Sequence, residues 1–168
     1  MNKAIFFDRD GVLNVEVGYL HEVEKFQWID GAREAIKLCN DNKILAIVVT
    51  NQSGVARGFY TENDVKKIHA FMQDDLKKIG AHIDAFYYCP HHPEGIIDAY
   101  KKNCECRKPK AGMILQACSD FNIDKKISIL IGDGKRDIES AENAELKAGI
   151  LFEGGNLFEV VKTCIKNL

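Results

Sequence analysis

Two acidic motifs each follow an apolar run. Asp8-Arg9-Asp10-Gly11 comes after Lys3–Phe7, and Asp133-Gly134 comes after Ile127–Ile131, with Asp137 about one helical turn further on. A single Asp-Gly is an ordinary turn signal. Two of them, each at the carboxyl end of a buried strand, place several carboxylates around one crevice, where their repulsion is tolerated only with a cation between them or a proton on one. Hard oxygen ligands of this kind suit Mg²⁺, which keeps waters and accepts phosphate oxygens in its remaining positions. Thr50-Asn51-Gln52-Ser53 ends another apolar run and offers a hydroxyl and backbone N–H groups, while Arg107-Lys108-Pro109-Lys110 brings cations to the start of a helix. A carboxylate nucleophile, a carboxylate metal site, a hydroxyl and a cation are the equipment of phosphoryl transfer, in which positioning and charge neutralisation do most of the catalysis.

A second cluster has a different chemistry. Cys89-Pro90-His91 and Cys104-Glu105-Cys106 form a C-x-H … C-x-C set in two close pairs. Four such ligands surround Zn²⁺ tetrahedrally with no open position, which makes the metal structural rather than catalytic. By spacing, His92 competes with His91 for the fourth place. Cys106 is bonded directly to Arg107, so this metal would set where Arg107 and Lys108 point. The other cysteines, Cys39, Cys118 and Cys164, sit singly in helical stretches and read as small buried hydrophobes. His69 and His82 carry no partner signal and are expected at the surface, whereas His21 lies in a loop that could meet a ligand.

The elements that must hold these groups alternate along the chain. Strands are predicted at Lys3–Phe7, Ile44–Thr50, Ile83–Tyr88, Ile127–Ile131 and Ala148–Phe152. Helices are predicted from Gly31 to about Asn42, from an N-cap at Thr61 to Gly80, over Ala111–Phe121, from about Arg136 to Ala144, and at the C-terminus. Five strands with intervening helices predict an α/β fold, a three-layer, doubly wound parallel sheet, in one domain spanning 1–168. The stretches Gly11–Asp30 and Cys89–Lys110 fit neither period and follow strand ends, where ligands bind in such folds. With 46% hydrophobic and 29% charged residues, a chain of 168 residues is globular. A net charge of −2 gives no basic field for nucleic acid. No apolar run approaches the length of a membrane span, and the start, MNKAIFFDRDG, turns acidic too soon for a signal peptide, so a cytoplasmic location is expected.

The order DRDG (8–11), TNQSG (50–54), RKPK (107–110) and GDGKRD (132–137) resembles the haloacid dehalogenase superfamily of phosphatases over essentially the whole chain. Within it, DRDGVLN, GYLH (18–21), TNQSGVARG (50–58) and CPHHP (89–93) resemble the heptose-bisphosphate phosphatases, with the histidinol-phosphate phosphatases as runner-up. The resemblance implies a Rossmann-like core and assigns roles. Asp8 is the nucleophile that forms an aspartyl-phosphate, and Asp10 is the acid and base, so its site should favour the protonated form when the leaving group departs. Asp8, the main-chain carbonyl of Asp10, and Asp133 hold Mg²⁺; Thr50 and Lys108 hold the phosphoryl oxygens. Glu16, Val17, Gly18 and Tyr19, with Asn51, Gln52 and Ser53, complete the substrate pocket, and Arg107 meets the far end of the substrate, where a second phosphate would sit. The resemblance also favours His91 over His92, giving Cys89, His91, Cys104 and Cys106 as the zinc ligands.

One departure stands out. These phosphatases are expected to carry Lys directly after the last-motif Asp, but here Gly134 stands there and Lys135 comes next. The segments after Asp10 and between Ser53 and Arg107 leave no room for a large cap domain, so an open site for a small sugar phosphate, on a monomer, is expected. A nucleic-acid 3′-phosphatase is disfavoured by the charge balance. A phospho-accepting receiver domain is disfavoured by Asp10, and a non-catalytic binding protein by the intact acidic and basic set.

Overall fold

A computed structural model describes residues 1–168. Five strands form one parallel sheet: β1 (Ala4–Phe7), β2 (Leu45–Asn51), β3 (Ala85–Cys89), β4 (Ile129–Gly132) and β5 (Ala148–Leu151), in the order β3-β2-β1-β4-β5. Between and after them run α1 (Ala32–Asp41), α2 (Glu62–Lys77), α3 (Gly112–Asp120), α4 (Lys135–Asn143) and α5 (Leu157–Lys166). Parallel strands covered on both faces read as continuous apolar runs, and β1 (AIFF) and β4 (ILIG) are buried throughout. Alternation divides them: Ile5, Phe7, Val48 and Ile131 pack with the inner faces of α1, α2 and α5. Ala4, Phe6, Val49 and Leu130 pack against Met113 and Ile114 of α3 and Ala141 of α4.

The sheet is therefore the middle of three layers, and no inserted cap domain interrupts it. The β1–α1 connection holds only a short 3-10 turn at Val23–Lys25, and α2 fills the path from β2 to β3. Local signals set the boundaries. Thr61 caps α2 through a reciprocal box, its hydroxyl accepting from Asp64 N–H while the Asp64 carboxylate accepts from Thr61 N–H. Asn156 caps α5 by accepting from Phe158 N–H at 3.0 Å. Ile83 falls outside β3, where its N–H and C=O are held by Gln73 of α2, and Ile127 ends a 3-10 turn ahead of β4.

His69 corrects the expectation of a surface position. It is 6% exposed, on the inner face of α2 one turn after Val65 and beside Ile68, and it stacks on Phe86 of β3 with centroids 4.3 Å apart. His82 is exposed and pairs with Asp84. Cys39 is fully buried, whereas Cys118 and Cys164 are half-buried against the two core layers.

Candidate active site

The sheet order reverses between β1 and β4, and the crevice at that switch point is where open α/β sheets bind ligands. Asp8 lies there because its N–H donates to Ile131 C=O at 3.0 Å, which carries the β1–β4 pairing one residue beyond the strand. Its Oδ1 accepts from Arg9 N–H at 2.8 Å and from Lys108 Nζ at 2.9 Å. Oδ2 accepts no protein hydrogen bond and faces a cleft of about 330 Å³ shared with Asp10, Thr50 and Asp133. Gly11 closes this turn in the left-handed region (φ +87°), and a Cβ there would run into the Asp133 carboxylate, so glycine is what lets the two acidic motifs meet.

Lys108 is 3% exposed, and each of its three N–H groups has an acceptor: Asp8 Oδ1, Asp137 Oδ1 at 2.6 Å and Val49 C=O at 2.9 Å. Burial would lower the ammonium pKa, but the two carboxylates outweigh it and raise it above its ordinary value. Burial also pushes the Asp8 carboxyl up to about 7, against the pull of Lys108 and with a further push from Asp137. The Lys108 backbone is fixed as firmly as its side chain. Asn51 Oδ1 accepts from Lys108 N–H at 2.9 Å, and Asn51 Nδ2 donates to Lys108 C=O at 3.1 Å.

Asp10 is held by a different set. Arg9 Nη2 donates to both its oxygens at 3.1 Å, Asn14 Nδ2 to Oδ1 at 3.0 Å, and Gln52 Nε2 to Oδ2 at 2.9 Å. Burial alone would raise this carboxyl, but Arg9 and these hydrogen bonds bring it below the usual carboxylate range. The resting site thus favours the carboxylate, so the protonated form expected at leaving-group departure has to arise during the reaction. Arg9 itself is fully buried, and its Nη1 lies 3.3 Å from His69 Nε2. Burial first, and Arg9 next, lower His69 to about 3, so the imidazole beside the guanidinium is neutral.

The pocket-loop residues divide. Glu16, Gly18, Tyr19 and Ser53 line an adjoining cleft of about 410 Å³, whereas Val17 lines neither cleft and is exposed. The Gln52 side chain is committed internally, donating to Asp10 and to Thr50 Oγ1 at 2.9 Å and accepting from Tyr60 OH at 2.6 Å. Lys135, one residue past Gly134, turns to the surface against Glu139 at 3.5 Å. The cation that lines both clefts is Arg136 instead, a residue without a sequence signal of its own.

Two groups of side chains could hold a metal ion. Asp8, Asp133 and Asp137 present oxygens within 4.8 Å of one another. Asp137 is already engaged by Lys108 and by Gly134 N–H at 3.1 Å, which leaves Asp8 Oδ2 and Asp133 for a cation, a sparse carboxylate set that fits Mg²⁺. Cys89, His91, Cys104 and Cys106 form the other group. The His91 Nδ1 to sulfur spacings of 3.4 and 3.6 Å match tetrahedral zinc geometry, while the sulfurs, 2.9–3.4 Å apart, stand somewhat closer than that. Hydrogen bonding with Cys89, opposed by burial and aided by Cys104 and His91, lowers the pKa of the Cys106 thiol, while the same bond raises that of Cys89. His91, not His92, groups with the three cysteines, while His92 Nε2 lies 3.3 Å from Arg57 Nη2 and His92 Nδ1 accepts from Glu94 N–H.

This sheet, with paired aspartates after its central strand and a buried lysine opposite, is that of the haloacid dehalogenase-like phosphatases. The model of the polynucleotide kinase 3 phosphatase family matches residues 3–147, and the chain belongs to that family. D-glycero-beta-D-manno-heptose-1,7-bisphosphate 7-phosphatase of Haemophilus influenzae is 43% identical over 92% of this chain and 84% of its own length. The D-glycero-alpha-D-manno-heptose-1,7-bisphosphate 7-phosphatase of Photorhabdus laumondii is 41% identical over the same shares, so identity does not separate the anomers. The structure of D,D-heptose 1,7-bisphosphate phosphatase from B. bronchiseptica, complexed with magnesium and phosphate, superposes with a TM-score of 0.83 at 27% identity, covering 99% of both chains.

Proposed function

We propose that this chain is a Mg²⁺-dependent phosphomonoesterase that removes the 7-phosphate of D-glycero-D-manno-heptose 1,7-bisphosphate. The observation that carries the reading is Asp8, with one oxygen anchored by Arg9 N–H and Lys108 and the other open to the cleft that Asp10 shares. The names of the 41–43% identical relatives support the substrate.

Asp8 Oδ2 attacks phosphorus as the bond from phosphorus to the sugar oxygen breaks, and Asp10 protonates that leaving oxygen. Water then attacks the aspartyl-phosphate, Asp10 takes its proton, and the phosphorus–Asp8 bond breaks to release phosphate. Asp10 starts as a carboxylate; a phosphate dianion arriving beside it raises its proton affinity, so Asp10 takes a proton from solvent before the bond breaks and passes it to the leaving oxygen. Thr50 Oγ1 accepts from Gln52, so its hydrogen is left to donate to a phosphoryl oxygen. Lys108 remains with Asp8 and supplies positive charge. Asp8, Asp133 and the Asp10 main-chain carbonyl would hold Mg²⁺, which when bound neutralises phosphoryl charge. Cys89, His91, Cys104 and Cys106 would hold a structural Zn²⁺ that fixes the direction of Arg107. Glu16, Gly18, Tyr19 and Ser53 shape the sugar compartment and Arg107 meets the second phosphate, in a single-domain, cytoplasmic monomer.

The test is Mg²⁺-dependent phosphate release from both anomers of the heptose bisphosphate, histidinol phosphate, hexose phosphates and a 3′-phosphorylated oligonucleotide, with Asp8→Asn as the blank. Preference for the heptose bisphosphate supports the reading. Preference for histidinol phosphate or the oligonucleotide keeps the chemistry and overturns the substrate, and phosphorylated Asp8 without turnover overturns the enzyme.

A further inference from the structure

Three guanidiniums converge on the cleft beside the nucleophile: Arg57 from the loop after β2, Arg107 from the cysteine loop and Arg136 from the first turn of α4. None of them has a carboxylate within bridging distance, whereas Arg9 and Arg33, the other arginines, are paired with Asp10 and Asp75. Arg57 Nε and Arg107 Nη1 are buried N–H groups without an acceptor, and Arg57 Nη2 lies 3.3 Å from His92 Nε2. Two carboxylates line this space, but Asp10 is paired with Arg9 and Glu16 turns its Oε1 back to accept from Gly18 N–H at 2.7 Å. Unsatisfied buried donors and uncompensated positive charge are costly in a resting protein and are relieved by an anion. Guanidinium forks match a phosphate better than any other side chain.

Resting on the phosphatase reading above, we infer that Arg57 and Arg136 join Arg107 in a site for the second phosphoryl group of a sugar bisphosphate, and that Arg136 supplies the cation absent at Gly134. The two clefts share Asp10, Glu16, Asn51 and Arg136, so a ligand with one phosphate at Asp8 lays its other end among the arginines without leaving the pocket. Arg136 sits two residues past Gly134, on the N-terminal turn of α4, and lines both compartments. A sugar carrying one phosphate leaves the three guanidiniums unmatched. The site therefore reads the number of phosphates more than the identity of the sugar.

The test compares heptose 1,7-bisphosphate with heptose 7-phosphate as substrates of the whole protein and of Arg57→Gln, Arg136→Gln and Arg136→Lys. Each Gln variant should lower the bisphosphate-to-monophosphate ratio of kcat/KM about tenfold, mostly by raising KM for the bisphosphate. Arg136→Lys should fall between. A lysine restored at position 134 in the Arg136→Gln background should recover the preference; a Cβ at Gly134 meets nothing nearer than Asp137 Oδ2 at 3.7 Å, so the change fits. An unchanged ratio in Arg136→Gln, which alters an exposed side chain, would overturn the inference. Should neither heptose phosphate be turned over, the substrate reading fails while this one is still decided, by calorimetry of fructose 1,6-bisphosphate against fructose 6-phosphate on Asp8→Asn. A bisphosphate advantage lost on adding Arg136→Gln sustains the site, and no advantage refutes it.

Discussion

Replacing the nucleophile should stabilise the Mg²⁺-free protein, by an amount that depends on pH. Burial raises the Asp8 carboxyl from 3.8 to about 7, so the folded protein holds a proton there that the unfolded chain has released. The stability associated with that proton is fully present below the unfolded pKa and is lost as pH rises through the folded one. At 1.36 kcal/mol per unit, the loss between pH 5 and pH 8 is about 2–3 kcal/mol. Asp8→Asn keeps an acceptor oxygen for Arg9 N–H and Lys108 but has no proton to lose. Urea unfolding followed by the fluorescence of Trp28, the single tryptophan, gives both curves. The variant should match the parent within about 1 kcal/mol at pH 5 and exceed it by about 2–3 kcal/mol at pH 8, while releasing no phosphate. Saturating Mg²⁺ should shrink that gap, because a cation on Asp8 brings its carboxyl back down. A stability difference that stays flat from pH 5 to pH 8 would refute the reasoning. The cysteine cluster titrates in both proteins and cancels in the comparison.

Three further outcomes can be measured. Asp10→Asn cannot carry the proton, and kcat should fall about 10²–10⁴-fold; the unfolding midpoint should fall as well, because the new amide NH₂ faces the donors that Asp10 accepted from and the buried Arg9 loses its counter-charge. Asn51→Ala strands the Lys108 N–H and C=O, so a cost of about 1–3 kcal/mol in urea is expected together with a lower kcat, since the lysine facing Asp8 loses its backbone anchor. Cys106→Ser should lower zinc content, unfolding midpoint and kcat/KM together; full activity in zinc-free Cys106→Ser protein would show that the loop does not position Arg107 and Lys108.

The sheet and the acidic residues were legible because both depend on short-range pattern. Short apolar runs such as AIFF and ILIG, bounded by polar residues and alternating with helical stretches, read as strands buried on two faces, and the residues just past the carboxyl end of such a strand face the crevice. Side chains that act over distance were harder to read. His69 passed for a surface residue because its partners, Arg9 and Phe86, are remote in sequence, although its place one turn after Val65 put it on the buried face of α2. The family resemblance assigns Asn51 and Gln52 to the substrate pocket, and both line the adjoining cleft. Their amides are also occupied with the Lys108 backbone and with Asp10 and Thr50, contacts that only the packed structure brings about. Arg136 escaped notice because a cation on the first turn of a helix looks like solvated surface until the cleft in front of it is seen.

The absence of an inserted domain over the cleft has a kinetic consequence. Enzymes that seal a substrate under a lid often spend their turnover time opening it. Here the short loop after β1 and helix α2 leave nothing large to swing, so product departs by simple diffusion from an open mouth rimmed by Tyr19 and Phe59. Adding sucrose or glycerol should therefore slow kcat/KM only to the extent that encounter limits it and leave kcat itself nearly unchanged, with turnover set by bond breaking at phosphorus.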